Sequence, residues 1–379
     1  MARLDPAVAA GRLAVRRALA QLSAGVAGAQ DTASARAPAI VRDMPGVQAV
    51  AGDAKTAGDT VLVACSGGTD SLALAAVTAF EAPRRGWRAG ATVIDHGLLA
   101  GSSAVARRAQ DQCRELGLDP VEVIGVEVGL KSGEGVEAAA RQARYEALEE
   151  AAGRHGAAAV LLAHTLDDQA ETVLLAMARG SGMTALTAMA PRRGVFIRPW
   201  LELTRVQTEA IMASTGLKAW QDPTNFPGGP YDSTRSLVRA QLVPTAKAIL
   251  GPGFAKALAR TAAFLAQDLD YLNAQAAALL ERAQVRTPTG PGSALALDAA
   301  TLAAAHPAVR TRAIHRAAVA AGADPGGLNA SQIEAVDRLI ADWHGQGEVY
   351  LAGRIQAGRK CGKLELRAMS TPGSSPKEA

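Results

Sequence analysis

The stretch Thr60-Val61-Leu62-Val63-Ala64-Cys65-Ser66-Gly67-Gly68-Thr69-Asp70-Ser71-Leu72-Ala73-Leu74 decides the fold. Val61–Cys65 is a short apolar run that stops at a glycine pair, the pattern of a buried strand. Ser71–Phe80 then takes up a helical pattern. The connection between them is Ser-Gly-Gly-x-Asp-Ser. Adjacent glycines let the N–H groups around Gly67, Gly68 and Thr69 converge on an anion, because no Cβ blocks the approach. The helix that follows brings its positive end to the same point. The hydroxyls of Ser66 and Ser71 add donors for phosphate oxygens. Asp70 would repel a bare phosphate, so it reads as a Mg²⁺ contact or as an anchor for the helix start. A Walker loop is excluded, since that loop requires G-x-x-x-x-G-K-[ST] and no lysine stands here.

Outward from this stretch, strands and helices alternate. Ala91–Asp95, Val121–Val126 and Ala158–Ala163 read as strands, and Ser102–Leu116, Gly135–Gly153 and Thr165–Met177 as helices. Such alternation predicts right-handed βαβ units around a parallel sheet. Ligands of open sheets lie beyond the carboxyl ends of the strands, where the Ser-Gly-Gly loop, Asp95-His96 and His164 all fall. Before the sheet, Val8, Leu13, Val15, Leu19 and Leu22 space an amphipathic helix over about Pro6–Leu22. Arg12, Arg16 and Arg17 lie among them, and the helix either docks on the main domain or contacts RNA. After Pro244, one long helix is expected from Thr245 to about Gln284, then a Pro/Gly linker over Thr287–Ser293. A small α/β unit follows, with helices near Val309–Ala320 and Ala330–Trp343 and strands at Glu348–Leu351 and Leu364–Leu366.

The 379 residues carry a formal charge of +4, which permits a nucleic-acid partner without demanding one. Cys65, Cys113 and Cys361 are distant in sequence and odd in number, so neither a disulfide framework nor a structural zinc site is expected. No run of eighteen apolar residues and no secretory leader is seen, and a soluble cytoplasmic protein with no membrane association is the expectation. No obligate protein partner is evident.

The loop resembles that of ATP pyrophosphatases, which cleave ATP between the α- and β-phosphates. A second motif narrows the comparison: Ala163-His164-Thr165-Leu166-Asp167-Asp168-Gln169-Ala170-Glu171-Thr172, continuing to Gly182. With Val93-Ile94-Asp95-His96-Gly97-Leu98, Glu137 to Tyr145, Arg198-Pro199-Trp200-Leu201, Arg205, Trp220 to Asn225, Arg235, Val238-Arg239 and Pro244, it resembles the tRNA(Ile)-lysidine synthetase (TilS) family. The likeness is good over about Thr60–Ala263 and looser beyond. Two departures are His164-Thr165, where the family often has His-His, and Arg235-Ser236, where it often has Arg-Asn.

The resemblance implies a Rossmann-like α/β parallel sheet of the adenine nucleotide α-hydrolase type with helices on both faces, then a long helical linker and a small C-terminal α/β domain. The expected division is a helical extension at 1–57, the catalytic domain at 58–244, the linker at 245–290, a tRNA-recognition domain at 291–369 and a tail at 370–379. It further implies ATP and Mg²⁺ as cofactors, and as partners L-lysine and a tRNA(Ile) with a CAU anticodon. ATP would adenylate C2 of the first anticodon cytidine, and the lysine ε-amine would displace AMP to give lysidine, which pairs with A.

On that reading Asp70, Arg144, His164, Asp168 and Glu171 are the catalytic candidates, with Asp70 also the metal contact. Ser66 to Ser71, Asp95, His96, Arg141 and Arg235 would hold ATP. Asp168, Glu171, Arg205, Arg239, Arg354, Arg359 and Lys360 would meet lysine or tRNA. Thr165 can cap a helix with Asp168 at its third position, which places Asp168 and Glu171 on one face. Two carboxylates complement an amine, and one could take its proton. Plainer readings stand beside these. Asp167 can serve only the helix dipole, Arg141 can pair with Glu137, His96 can be structural, and the basic C-terminal hairpin can be a solvated face.

Rival functions each lack a feature. A tRNA thiolase needs a catalytic cysteine pair or an iron–sulfur site, and an amidating synthetase needs an ammonia source. A catalytically dead RNA-binding protein would not need an intact phosphate loop.

Overall fold

The computed structural model describes residues 4–31, 59–97, 101–127, 136–180, 182–223, 233–285 and 295–369. It divides into two units, 1–41 with 48–264, and 42–47 with 265–379.

The first unit is built on β1 (Thr60–Ala64), whose Val61, Leu62 and Val63 are closed to solvent on both faces, as befits the centre of a parallel sheet. Helix α1 (Pro6–Asp31) precedes it, and α2 (Thr69–Glu81), β2 (Arg88–Asp95), α3 (Ser102–Glu115), β3 (Val121–Gly125), α4 (Val136–Arg154), β4 (Ala159–Leu161) and α5 (Leu166–Ala178) follow in strict alternation. A short α6 (Met183–Leu186) leads to a hairpin of β5 (Arg192–Arg193) and β6 (Phe196–Ile197), then α7 (Arg205–Ala213). Among the described residues the strand order is β3-β2-β1-β4-β6-β5, all parallel except β5 against β6. The chain runs from β1 to one side through β2 and β3, then crosses back to place β4 on the other flank. The crevice beyond the ends of β1 and β4 is the topological switch point, where such sheets bind ligands.

One face of this sheet is covered by α1, α2, α3 and α7 and the other by α4, as their buried residues show. Val15, Leu19 and Leu22 of α1 enter the first layer. Arg12 and Arg16 reach Glu81 at 2.5 and 2.8 Å, and the Trp200 indole N–H donates to the Gly11 carbonyl at 3.2 Å. The N-terminal helix therefore docks on the sheet domain, with two of its three arginines engaged there. Cys65 and Cys113, distant in sequence, meet inside this layer at 2% and 0% exposure. That placement suits core packing, and Cys361 is the exposed cysteine.

The long helix expected from Thr245 is interrupted. Helix α8 (Thr234–Leu237) runs through a π-helical turn (Val238–Leu242) into α9 (Val243–Leu250), and α10 (Phe254–Ala283) starts afresh. Gly251 sits at φ +95° and Pro252 has no N–H, so the ladder stops between them.

The second unit contains β7 (Gln284–Val285), β8 (Leu295–Asp298), α11 (Ala299–Ala303), α12 (Pro307–Ala320), α13 (Ala330–Ala341), β9 (Val349–Leu351), β10 (Ile355–Lys360) and β11 (Lys363–Ala368). Its sheet is antiparallel, in the order β7-β8-β11-β10-β9, and buries Leu297, Ile355, Ala357, Leu364 and Leu366 with Ala313, Ile314, Ala317 and Val336 of the helices. The expected linker over Thr287–Ser293, most of the 1–57 extension beyond α1, and the 370–379 tail lie outside the described residues.

Candidate active site

The loop after β1 has the shape an anion cradle requires. Gly67 has φ +80°, and a Cβ there would stand 3.1 Å from Ala109, so both conformation and space call for glycine. The Ser71 hydroxyl accepts from the Ser66 N–H at 3.1 Å and donates to the Gly68 carbonyl at 3.0 Å. It shapes the loop from inside, while Ser66 stays exposed. Helix α2 begins at Gly68 with no side-chain cap, which leaves its first-turn N–H groups, from Thr69 on, for an anion.

Asp70 stands in the first turn of α2, directly after the loop. Its Oδ1 accepts a short hydrogen bond from the Thr208 hydroxyl of α7. Burial raises its carboxyl above the ordinary range, against the Thr208 bond and the charges of Arg205 and Arg239, and the nearby Asp168 adds to the rise.

Helix α5 presents the acidic motif. Thr165 and Asp168 form a reciprocal cap in which Asp168 Oδ2 accepts from the Thr165 N–H at 2.8 Å and from its hydroxyl at 2.9 Å. Asp168 Oδ1 accepts from Arg205 and Arg239, each at 3.0 Å. Glu171 Oε1 accepts from Arg239 Nε at 2.8 Å and Arg205 at 3.4 Å, and Oε2 from Arg239 at 2.9 Å. A carboxylate offers about four acceptor positions; among the described residues Asp168 accepts four hydrogen bonds and the buried Glu171 three. Arg205 and Arg239, assigned to lysine or tRNA on sequence grounds, thus lie inside the acid pair. Asp167 faces elsewhere. It accepts from Lys247 Nζ at 2.6 Å and the Arg205 N–H at 2.8 Å. Burial raises its carboxyl, but these bonds outweigh it and hold it below the usual range. It clamps α9 and α7 to α5, a role beyond the dipole contact read from sequence.

A third group is cationic. Tyr145 accepts at its hydroxyl from Arg141 at 3.3 Å and Arg198 at 3.2 Å, and Arg144 lies 5.6 Å from its ring centre. Arg235 of α8 is close enough to act on the charge of Arg144. No carboxylate pairs with Arg141, Arg144, Arg198 or Arg235 among the described residues. His164, at the end of β4, is pushed down to about 3 by burial and by Arg198, Arg144 and Arg141, against the pull of Asp168. At neutral pH that keeps it uncharged, and among the described residues its Nδ1 has no hydrogen-bond partner, like Nδ1 of His96 and Nε of Arg198. Burial likewise lowers His96, reinforced by Arg144 and opposed by Asp95. Asp95 is taken up by its own loop, accepting from the Gly97 N–H at 3.0 Å and the Ser103 hydroxyl at 2.7 Å.

The C-terminal candidates divide. Arg354 and Lys360 are exposed. Arg359 donates to the Leu339 and Ile340 carbonyls at 3.0 and 3.4 Å and lies 5.4 Å over the Trp343 ring, so it caps α13. Thr208 and Lys247 carry no sequence signal that marks them as site residues, and Arg198 stands in a family-like motif without being singled out as one. For Thr208 the only local cue is the start of α7, where Thr204 caps and Gln207 answers.

Residues 46–246 match the family described as PP-loop domain, and residues 297–364 match the TilS substrate binding domain. The chain is an ATP-utilising protein of the PP-loop class. It belongs to the tRNA(Ile)-lysidine synthase family. It is 49% identical to the tRNA(Ile)-lysidine synthase of Thermobifida fusca (strain YX) over 312 residues, 82% of this chain and 93% of that one. It is 49% identical to the Streptomyces coelicolor enzyme over 81% of this chain and 85% of the other. Against the Salinispora arenicola enzyme the identity is 44%, over 97% and 98%.

Proposed function

We propose that this protein ligates free L-lysine to C2 of the wobble cytidine in the CAU anticodon of tRNA(Ile). ATP adenylates the C2 oxygen and pyrophosphate leaves. The lysine ε-amine then forms the C–N bond as the C–O bond to AMP breaks, and lysidine redirects the codon from AUG to AUA. The observation that carries this reading is the meeting, at the switch point, of a phosphate cradle, an uncompensated arginine cluster and an acid pair.

The cradle of Ser66, Gly67, Gly68 and Thr69 binds the nucleotide phosphates. Arg141, Arg144, Arg198 and Arg235 stabilise the charge that develops on the leaving pyrophosphate. Neutral His164 offers one nitrogen to a phosphate oxygen or a moving proton. Glu171 receives the lysine ammonium at Oε2, where Arg239 donates at 2.9 Å, and Asp168 holds the two arginines that frame it. Among the described residues no group of three His, Cys, Asp or Glu side chains forms a metal cage. The site suits Mg²⁺ ligated mainly by phosphates and water with a single carboxylate from Asp70; such an ion would neutralise phosphate charge. The exposed Arg354 and Lys360 suit an RNA backbone. No helix among the described residues is long and apolar enough to cross a membrane.

The test is incubation with ATP, labelled lysine and unmodified tRNA(Ile). Label retained in the RNA, dependent on ATP and on the CAU anticodon, is the expected result. ATP cleavage with no lysine transfer would overturn the assignment.

A further inference from the structure

The first turn of α7 touches both halves of the site. Its backbone N–H at Arg205 bonds Asp167, the Arg205 guanidinium bonds Asp168 and Glu171, and the Thr208 hydroxyl bonds Asp70. Thr208 is fully buried and stands 138 residues from Asp70 in the chain. Its hydroxyl has a single proton and two acceptors within reach, the Asp70 carboxylate and the Arg205 carbonyl at 2.8 Å. The carboxylate is the stronger acceptor and takes the proton. When Asp70 swings to another partner, the hydroxyl falls back on the carbonyl of its own helix. A buried donor is then satisfied in both states, so releasing Asp70 strands no polar group.

We propose that Thr208 is a positioning residue for the ATP half-reaction, holding Asp70 in its rotamer beside the phosphate loop and releasing it without leaving a buried donor unpaired. The inference rests on the reading of Asp70 as the carboxylate of the ATP site. It concerns order and orientation, because Thr208 itself touches no reacting atom.

The discriminating pair is Thr208→Val, which keeps the shape and removes the hydroxyl, and Thr208→Ser, which keeps the hydroxyl. Titration calorimetry reads ATP affinity with and without Mg²⁺. Steady-state pyrophosphate release reads kcat and KM for ATP, lysine transfer reads KM for lysine, and a melting curve reads folding. In Thr208→Val the combined loss in ATP affinity and pyrophosphate release should be about tenfold to a hundredfold, the usual weight of a hydrogen bond to a charged group. Lysine KM should stay at the wild-type value, and Thr208→Ser should restore both ATP readouts. A purely structural residue would instead lower the melting temperature while the folded fraction kept normal ATP parameters. Should Thr208→Val fail to fold, Thr208→Ala and Thr208→Ser give the same comparison. Wild-type ATP affinity and turnover in a folded hydroxyl-free variant overturns the proposal. A wild-type protein that transfers no lysine overturns the underlying function instead.

Discussion

Replacing Glu171 with Gln removes one charge from the cluster and keeps the side-chain shape. Glu171 is 1% exposed and receives Arg239 through Nε at 2.8 Å and Nη2 at 2.9 Å. The Arg205 interaction at 3.4 Å is marginal by comparison. A glutamine amide keeps an oxygen for one Arg239 donor but turns its NH₂ toward the other. One charge-assisted bond disappears and two donors face each other. A hydrogen bond to a charged group is worth about 1.5–3 kcal/mol, roughly a tenfold to hundredfold effect at about 1.4 kcal/mol per decade. Arg239 and Arg205 retain 24% and 26% side-chain exposure, so water relieves part of the orphaned charge and the lower half of that range is expected. The site reading places this effect on the lysine step. Pyrophosphate release with tRNA present should stay near wild type, while the lysine concentration for half-maximal transfer rises by about tenfold or more. If adenylation collapses and the lysine dependence does not move, Glu171 belongs to the ATP half of the site and the reasoning fails.

Asp70→Asn and Ser66→Ala should each sharply slow tRNA-dependent pyrophosphate release in folded protein; near-normal rates in both would take the loop out of the mechanism. His164 makes stability depend on pH in a set direction. Its folded value of about 3 lies below the ordinary 6.5, so the unfolded chain binds more protons between those values and stability falls as pH drops through that window. Urea midpoints at neutral pH and at about pH 4.5 should differ less in His164→Gln than in wild type, and equal pH slopes would contradict the assignment. Neutralising Arg354 and Lys360 should weaken tRNA binding and flatten its log–log salt slope by about 0.7–0.9 for each phosphate left unneutralised. Arg359→Met should lower the melting temperature with little change in that slope, because its guanidinium closes α13; a gel shift at several salt concentrations separates the two.

The chemistry legible in the chain is local in sequence. Ser66 to Ser71 and Thr165 to Glu171 each carry strand end, turn, cap and functional group within a few residues, so pattern and mechanism coincide. What is not legible depends on long-range closure. Thr208 meets Asp70, and Lys247 meets Asp167 from 80 residues away; nothing near Thr208 or Lys247 distinguishes them from any surface threonine or lysine. Arg205 and Arg239 stand out in the sequence as cations but not as partners of the acid pair, since a sequence shows charge and not its distance to a carboxylate. Strands β5 and β6 span two residues each, too few to show a period. In β10 only Ile355 and Ala357 face the core among polar and basic residues, so the run passes for a basic turn. The break at Gly251-Pro252-Gly253 is visible in the sequence, but the leucine spacing on both sides carries the expectation of one helix through it.

The two charge groups at the switch point are built on opposite principles, and the proposed reaction accounts for the difference. A polyanion arriving from water brings its own charge, so arginines that wait for it can be left without a carboxylate; Arg141 is exposed and Arg144 and Arg235 half-buried, while the buried Arg198 is held by the Tyr145 hydroxyl and the Ala190 carbonyl. Carboxylates waiting for an ammonium are in a harder position. Glu171 and Asp168 are buried, and an unpaired buried anion costs far more than an exposed one. Arg205 and Arg239 supply the missing cations from within the fold. On the proposed function, lysine enters by exchange at Glu171 while a guanidinium gives ground. Arg239, held at 2.8, 2.9 and 3.0 Å, sits on the π-helical turn between α8 and α9. On this argument a permanently neutral residue in place of Arg239 does not open the lysine site; it leaves Glu171 buried without its cation, and both folding stability and lysine use should suffer together.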